Sequence, residues 1–589
     1  MNRSAIDSEL RRRTDYHLAQ SRLRVDYYRI RRCLSYPLPV TSFHCAELPL
    51  RTFPSRDYPW SIWLSWALEE RLLVLGHAAA AGDTAARAMA QRDIEALTRW
   101  PRYRQLAKPD LCLGHCLRLL YTAWTTWSWM DVALRHRIAT ACARAIDDML
   151  PFSNALHGHL ASSEDVLHRP DPHALLHNIP IIGTIGAALA ARAVNHPSLA
   201  VLDRRVGFLI GAVLNARNLG ISEALAYDGY VLDFAADWLA ALPESARAPF
   251  LNHPRMPEFF AQSCWLSAPG DPTAVAEIGD VEPGHMPFHV SAQAKLQALH
   301  WDATRAWYLD QCQPEALRSD ALIVLRSSAE STSSLRAPTI RTIDVQYAAV
   351  LRSGFAPHDL AVAMAASSSP MGHIHEDNGS VVIGTRGRWL IADPGYQQYL
   401  DTSERVFTVG PQAHNIPVVN GLSQTQKRVA RPQIDELGGG VSRMRLDVTS
   451  CYPAETGIRN LTRTTWLLGH TAVVVCDRID LSHYKSLIYH WHGHPDAGWW
   501  IANGGAELHF DAEPDAPLFI QSSNVAITES MVDRLPGSRG QLTMTVPIAT
   551  PDTSRTEPLY IWWCFGIGAP VSAEIDGARA TIGGRHLLQ

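Results

Sequence analysis

Apolar residues in the first 335 positions recur three or four residues apart, which is the spacing of one helix face. Trp60, Trp63 and Trp66 form one such run, and proline-containing breaks such as residues 168–172 divide this half into pieces the length of a helical hairpin. Helical hairpins packed in series form a curved or closed α/α array. We therefore predict an all-helical domain over residues 1–335.

Beyond Pro338 the pattern changes to short β-branched and aromatic runs separated by Gly, Pro, Asp and Asn. Residues 472–475 and 487–490 are two of these runs, and their length and spacing are typical of strands in an antiparallel sandwich. The predicted fold class is therefore α+β multidomain, with a C-terminal antiparallel β-sandwich over residues 336–589. The Ser/Thr-rich stretch 327–334 is the predicted linker.

The composition is that of an ordinary globular protein, with 47% hydrophobic and 19% charged residues among 589. A net charge of −5 gives no support for nucleic-acid binding. The ten cysteines are scattered, and Cys112 and Cys116 are predicted to be buried free thiols without a zinc-site partner pair. No apolar run is long enough for a membrane span, and no signal peptide is recognised. A cytoplasmic protein is therefore expected, with homo-oligomerisation left open.

The most informative segment is His373-Ile-His375-Glu-Asp377. If it is a strand, alternation places His373, His375 and Asp377 on one face. Asp393 and His414 follow within about forty residues. Such a cluster can abstract a proton, hold a metal or do both, whereas a polar strand face satisfied by its neighbours is an equally open interpretation.

The segments Gly372–Ser380, Asp393–Tyr396, Ser403-Glu404 and His414-Asn415 follow one another in an order that resembles the heparinase II/III-like polysaccharide lyases. This resemblance implies an N-terminal (α/α) toroid-like domain, incomplete as a ring, followed by the antiparallel β-sandwich. It also implies β-elimination on a uronic-acid-containing anionic polysaccharide or oligosaccharide, in which the C5 proton is removed and the bond at C4 is broken. A base beside C5 and a group that neutralises the uronate carboxylate are then required.

The resemblance also assigns roles to individual residues, which we state as expectations. His373 acts at the reacting centre, and Asn178 with His177 engages the uronate carboxylate. The expected tyrosine position is atypical here, so Tyr230 is the first candidate and Tyr227 the second. The remaining assignments are a structural Zn²⁺ on His375, Asp393 and His414, and substrate contacts from Tyr227, Arg386, Arg388 and Tyr396.

Two other functions remain open. A glycoside hydrolase on the same helical array needs two carboxylates about 5–10 Å apart, and Asp228, Asp233 and Asp377 are the available candidates. A non-catalytic carbohydrate-binding or exopolysaccharide-accessory protein is favoured by the atypical tyrosine segment. The group His490, His492 and His494 is ranked below the first cluster as a metal site, because ligands on one strand cannot by themselves surround an ion.

Overall fold

The structure, a computed structural model, describes residues 3–27, 32–44, 58–169, 172–281, 287–328, 335–395, 403–427, 429–502, 505–511, 513, 515, 517–522, 526–531, 541–545 and 557–589. Most of its helices lie before residue 328. They are α1 (Arg3–Ala19), α2 (Tyr58–Ala80), α3 (Thr84–Thr98), α4 (Leu111–Thr126), α5 (Val132–His157), α6 (Glu164–Leu167), α7 (His173–Leu176), α8 (Asn178–Ala193), α9 (Leu199–Ala216), α10 (Ala224–Ala241), α11 (Glu244–Leu251), α12 (Met256–Trp265), α13 (Phe288–Leu299), α14 (Ala303–Gln311), α15 (Ser319–Ser327) and α16 (Ser403–Thr408).

Helices α4 and α8 run in the same direction in close contact. A Cβ added at Gly186 would lie 2.6 Å from the carbonyl oxygen of Gly114, so only glycine permits this approach. Helices α2 and α10 pack against α4 and run parallel to it. Trp66 of α2 and Tyr230 of α10 both hydrogen-bond to His115 of α4. The amino-terminal ends of these inner helices therefore open on the same side of the helical domain.

The strands occupy mainly the second half of the chain. They are β1 (Arg22–Tyr27), β2 (Arg32–Pro37), β3 (Ser267–Ala268), β4 (Asp271–Val275), β5 (Thr342–Asp344), β6 (Ala348–Arg352), β7 (Ala361–Ala365), β8 (Val381–Thr385), β9 (Arg388–Ile391), β10 (Pro417–Val419), β11 (Gln433–Gly438), β12 (Val441–Asp447), β13 (Ile458–Leu468), β14 (Ala472–Leu481), β15 (Leu487–His492), β16 (Ala497–Ala502), β17 (Gly505–Phe510), β18 (Leu518–Ser522), β19 (Ala526–Met531), β20 (Gln541–Thr545), β21 (Leu559–Ile567), β22 (Ala573–Asp576), β23 (Arg579–Ile582) and β24 (Arg585–Leu588).

The strands after residue 341 pair antiparallel in four sheets. Their orders are β5-β6-β7-β8-β9, then β11-β12-β13-β14-β21-β18-β17-β16, then β10-β15-β20-β19, and finally β22-β23-β24. The five-stranded sheet is buried on both faces, because Ala361 and Ala363 pack into the helical core while Val362 and Met364 pack into the core between the sheets. This sheet therefore joins the helical half to the sandwich, and the predicted fold class is confirmed.

Three details differ from the expectations. The first half is not entirely helical, since β1 pairs with β2 and β3 pairs with β4 in two hairpins. Ser327 belongs to α15 rather than to a linker, and residues 329–334 lie outside the described residues. The segment His373–Asp377 is not a strand, but part of the loop between β7 and β8. In that loop, His373 and His375 both hydrogen-bond to one residue of the helical half, Asp280.

Two predictions about chain chemistry can also be compared with the structure. Cys112 and Cys116 are buried free thiols, as expected. Within the described ranges, no helix is both long and apolar enough to cross a membrane.

Candidate active site and metal centre

A loop from the sheet half meets the helical half at Gly279 and Asp280. The backbone N–H of Asp280 donates to the carbonyl oxygen of His373 over 2.9 Å. Gly279 has φ +78°, and a Cβ there would lie 2.6 Å from the same carbonyl oxygen. From the other side, the Lys427 ammonium donates to the carbonyl oxygens of Met371 and Ile374. The loop is therefore held by backbone contacts on both sides of His373.

Asp280 is 1% exposed and accepts hydrogen bonds from two imidazoles. Its Oδ2 lies 2.8 Å from Nδ1 of His373, and its Oδ1 lies 2.9 Å from Nε2 of His375. Burial alone would raise the pKa of this carboxyl group, but the hydrogen bonds from His373 and His375 outweigh it and lower the pKa. Asp280 is therefore a buried carboxylate shared by both histidines of the loop.

The Nε2 side of the His373 imidazole faces the amino-terminal ends of α8 and α10. Its Nε2 lies 3.2 Å from Nδ2 of Asn178 and 3.7 Å from Oε1 of Glu223. Asn178, the first residue of α8, also donates its backbone N–H to Oε2 of Glu223 over 2.9 Å. Burial, followed by the nearby charge of Asp228, raises the pKa of Glu223 well above its usual value and favours a neutral carboxylic acid.

His177 caps α8 and lies at the edge of this cluster. Its ring centre is 5.1 Å from that of His373, and its Nε2 is 3.8 Å from Oε1 of Glu223. Its Nδ1 accepts from the backbone N–H of Ile179. Burial, followed by the neighbouring His373, lowers the pKa of His177 well below its usual value. A neutral ring that accepts at Nδ1 carries its proton on Nε2, directed to the Glu223 side.

The two candidate tyrosines lie in different places. The Tyr227 ring, in the first turn of α10, stacks on His373 with ring centres 3.5 Å apart and planes 3° from parallel. Tyr230 lies one turn deeper, is 0% exposed, and hydrogen-bonds to Trp66 and His115. Of the two candidate tyrosines, Tyr227 is therefore the one that lies beside His373.

A second cluster lies on the other side of His375. One ligand atom each from His375, Asp377 and His414 can be chosen so that all three lie within 4.8 Å of one another. Nδ1 of His375, Oδ2 of Asp377 and Nε2 of His414 are all buried and have no hydrogen-bond partner among the residues that the structure describes. Two imidazole nitrogens and a carboxylate oxygen are the donor set that Zn²⁺ accepts, with a water as fourth ligand. The residues present fit the expected metal.

Asp393, the third predicted metal ligand, already accepts hydrogen bonds from two other groups. Asp393 accepts from Nδ1 of His414 over 2.7 Å with Oδ2, and from the backbone N–H of Gly395 with Oδ1. Asp393 therefore orients the His414 ring so that the Nε2 lone pair points away from Asp393. Carboxylates that accept from metal-binding histidines act in this way in other proteins. Asp377 is the carboxylate that groups with His375 and His414, with ligand atoms within 4.8 Å of one another.

The other three-residue cluster, His177 with Glu223 and His373, is a weaker candidate for a metal. Its ligand atoms also lie within 4.8 Å of one another. However, Nε2 of His373 contacts the Asn178 amide, and Nε2 of His177 bears a proton when Nδ1 accepts from Ile179. These groups are arranged to exchange protons and to donate hydrogen bonds.

Two of the predicted substrate-binding residues in the sheet half, Arg386 and Arg388, lie away from this site. Arg386 lies in the β8–β9 turn, at the opposite end of β8 from Ser380. The Arg388 guanidinium pairs with Glu513 over 2.7 Å and covers the ring of Phe510. Tyr396 lies outside the described residues.

Two of the three carboxylates proposed for a hydrolase form ion pairs within the helical domain. Asp228 pairs with Arg217 over 2.5 Å, and Asp233 pairs with Arg118 and Lys295 in the interior of the helical domain. Both carboxylates are therefore already ion-paired within the protein.

The strand histidines are separate from the metal-capable cluster. Nε2 of His492 lies 2.9 Å from the carbonyl oxygen of Gln412, and its backbone N–H donates to Asn415. Neither His490 nor His494 joins a metal-capable group of three among the described residues.

Two residues of the site were not among the sequence candidates. Neither Asp280 nor Glu223 stands beside other residues of the site in the sequence. Asp280 lies 93 positions from His373, and Glu223 lies 45 positions from Asn178. Contacts across such separations leave no local sequence pattern. Gly279 before Asp280 does indicate a turn where the backbone needs the conformational freedom of glycine.

Comparisons with known proteins show what this chain resembles. Residues 344–544 match the family model described as heparinase II/III-like, C-terminal. The predicted resemblance to the heparinase II/III-like family is therefore confirmed. Among curated proteins, no sequence matches the chain.

Solved structures extend the likeness of fold to most of the chain. A crystal structure of heparinase III matches with a TM-score of 0.60 and 11% sequence identity, covering 90% of this chain and 83% of its own. Heparan sulfate lyase HepC from Pedobacter heparinus matches with a TM-score of 0.56 and 12% identity, covering 99% of this chain and 89% of its own. At these identities the match establishes a shared fold, a helical toroid followed by a β-sandwich.

Proposed function

We propose that this protein is a polysaccharide lyase that cleaves a uronic-acid-containing anionic glycan by β-elimination. The observation that carries the proposal is the position of His373, whose Nδ1 is held by Asp280 while its Nε2 faces Asn178 and Glu223. Two structural relatives, heparinase III and the heparan sulfate lyase HepC, support the same class.

His373 is the proposed base. With the Nδ1 proton donated to Asp280, the lone pair of the neutral imidazole lies on Nε2. Nε2 takes the C5 proton of the uronic acid, and the Asp280 carboxylate stabilises the imidazolium that forms. This is the general role of a carboxylate behind a catalytic histidine.

Asn178 and Glu223 are the proposed partners of the uronate carboxylate. Removal of the C5 proton places negative charge on that carboxylate, so donors that reach it lower the barrier. The Asn178 amide supplies two N–H donors, and a protonated Glu223 supplies an O–H donor that adds no negative charge. The His177 Nε2–H extends the same row of donors.

Tyr227 is the proposed acid for the departing oxygen. Its ring stacks on His373, which places its phenol in the same cluster. The electron pair of the broken C5–H bond forms the C4=C5 double bond, the C4–O bond breaks, and the leaving oxygen takes the Tyr227 hydroxyl proton. The proton on His373 then returns to the phenolate directly or through water, and the site is restored.

Zn²⁺ is the proposed structural cofactor, held by His375, Asp377 and His414. When bound, the ion supplies a fixed positive charge that neutralises the Asp377 carboxylate and cross-links the loop to the strand-rich core. The step at C5 remains with His373, on the other side of Asp280.

A glycan panel tests the proposed function. Incubation of the purified protein with heparan sulfate, alginate, hyaluronan and bacterial exopolysaccharides is expected to give new ultraviolet absorbance from the C4=C5 double bond with at least one of them. New reducing ends without that absorbance would indicate a hydrolase instead. Binding to a glycan without either signal would support a carbohydrate-binding accessory protein.

Metal analysis of the purified protein is expected to find one zinc per chain, which chelation removes with a loss of thermal stability. At free zinc 100 times its dissociation constant, the ion stabilises the folded protein by about 2.7 kcal/mol. Asp377→Ala is expected to lose zinc and the chelator effect, while the exposed Asp496→Ala keeps both. Full zinc occupancy in Asp377→Ala would exclude this ligand set.

The free energy of unfolding of Glu223→Gln is expected to increase relative to that of the unmodified protein as pH rises. The folded-state pKa of Glu223 is raised above its unfolded value, so the folded protein holds a proton that the unfolded chain releases. The associated stability is fully present below about pH 4.5 and is lost as pH rises through the folded pKa, at up to about 1.4 kcal/mol per pH unit. Glutamine cannot titrate.

Melting temperatures of both proteins at pH 5 and pH 8 measure this difference. The exposed Glu244→Gln provides the control, for which a pH-independent difference is expected. If the difference for Glu223→Gln were also the same at both pH values, Glu223 would not be held protonated in the folded protein.

A further inference from the structure

One carboxylate lies between the proposed base and the proposed metal site. Asp280 contacts His373 with one oxygen and His375 with the other, at 2.8 and 2.9 Å. We propose that Asp280 is a positioning residue that sets the tautomers of both imidazoles and so couples zinc binding to the orientation of the base. This inference rests on the proposed function for the role of His373. Its statement about zinc binding does not depend on lyase activity.

The two hydrogen bonds require opposite tautomers in the two rings. An ionised carboxylate only accepts, so the contacting nitrogen of each ring carries the proton. His373 therefore holds its proton on Nδ1 and presents a lone pair at Nε2. His375 holds its proton on Nε2 and presents a lone pair at Nδ1, the buried atom that has no partner among the described residues. Both functional lone pairs thus depend on Asp280 remaining an acceptor.

The position of Asp280 is fixed independently of the two rings. Its backbone N–H pairs with the carbonyl oxygen of His373, and the left-handed conformation of Gly279 before it lets the chains approach. Asp280 belongs to the helical half, and the two histidines belong to the β7–β8 loop. Because both rings hydrogen-bond to this one carboxylate, a shift of either ring must move the carboxylate or break a hydrogen bond. The chain contains a natural comparison: Asp393 contacts the ring of His414 alone.

Asp280→Asn is the most informative substitution. Its side chain keeps the size of aspartate but offers one accepting oxygen and one NH₂ donor. The NH₂ group then faces a ring N–H, unless that ring moves its proton to the other nitrogen and loses the functional lone pair. We expect at least one function to fail: zinc affinity falls 10- to 100-fold, as for other partners of metal-bound histidines, or kcat falls at least 100-fold at saturating zinc.

Asp393→Asn is the matched comparison, because Asp393 orients a metal ligand but does not contact His373. We expect its zinc affinity to fall and its glycan cleavage to recover when excess zinc is added. The coupling between zinc binding and the base is supported if two results occur together. Asp393→Asn regains glycan cleavage in excess zinc, and Asp280→Asn retains a kcat defect or binds zinc more weakly. Zinc affinity within threefold and kcat within threefold of the unmodified protein in Asp280→Asn would overturn it.

A spectroscopic measurement applies even if Asp280→Asn fails to fold. In zinc-free protein labelled with ¹⁵N-histidine, with signals assigned from His373→Gln and His375→Gln, we expect the Nδ1–H form at His373 and the Nε2–H form at His375. The opposite tautomer at either ring would overturn the inference. Because this measurement and zinc affinity use no glycan, absence of lyase activity would contradict the proposed function while leaving the inference to be decided by these data.

Discussion

Replacing His373 by alanine is expected to lower kcat/KM by about 10²- to 10⁴-fold, the usual contribution of a positioned general base. The substitution removes the Nε2 atom that faces Asn178 and Glu223, while the backbone contact between His373 and Asp280 remains available. The initial rate of ultraviolet absorbance increase on a cleaved glycan measures the effect. Melting temperature and zinc content of the same sample show whether fold and metal site persist.

The exposed His586 provides the matched control for this experiment. His586→Ala is expected to cleave glycan at the unmodified rate. If His373→Ala retained more than about a tenth of that rate, another group would have to take the C5 proton, and the role assigned to His373 would be wrong.

Tyr227→Phe is expected to reduce turnover about 10²- to 10³-fold, because the leaving oxygen loses its proton donor. Phenylalanine keeps the ring that stacks on His373, so folding and glycan binding should change little. The expected signature is a fall in kcat with a nearly constant KM, measured in the ultraviolet assay.

Tyr230→Phe distinguishes the two tyrosines. Its hydroxyl accepts from Trp66 and contacts His115 within the protein interior, so its loss is expected to cost about 1–3 kcal/mol of stability. Turnover at a temperature well below melting should remain within a fewfold of normal. A larger loss of turnover in Tyr230→Phe than in Tyr227→Phe would restore the original assignment of Tyr230.

The division of the chain into helices and antiparallel strands was predictable because periodicity reports which face of an element is buried. The conformation of His373–Asp377 was not predictable in the same way. Alternating polar residues fit a half-buried strand, but here Lys427 and Asp280 satisfy the backbone of a loop. The contacts that decide its conformation come from elsewhere in the chain.

The candidate site shows the same division. His373 and Asn178, proposed from resemblance, lie within 3.2 Å of each other. Which tyrosine lies beside His373 depends on the depth of Tyr227 and Tyr230 along α10. Which carboxylate is available to a metal depends on whether Asp377 or Asp393 already accepts hydrogen bonds from other donors. The raised pKa of Glu223 arises from burial, which emerges only when the helix ends pack together.

The most direct test of the account is to identify the products formed from a uronic-acid-containing glycan by the unmodified protein and by His373→Ala. We predict that the unmodified protein forms oligosaccharides that absorb in the ultraviolet and are one water lighter than the hydrolysis products, and that His373→Ala forms them about 10²- to 10⁴-fold more slowly. Products with the full mass of hydrolysis and no absorbance, or equal product formation by both proteins, would contradict the proposal that His373 drives β-elimination.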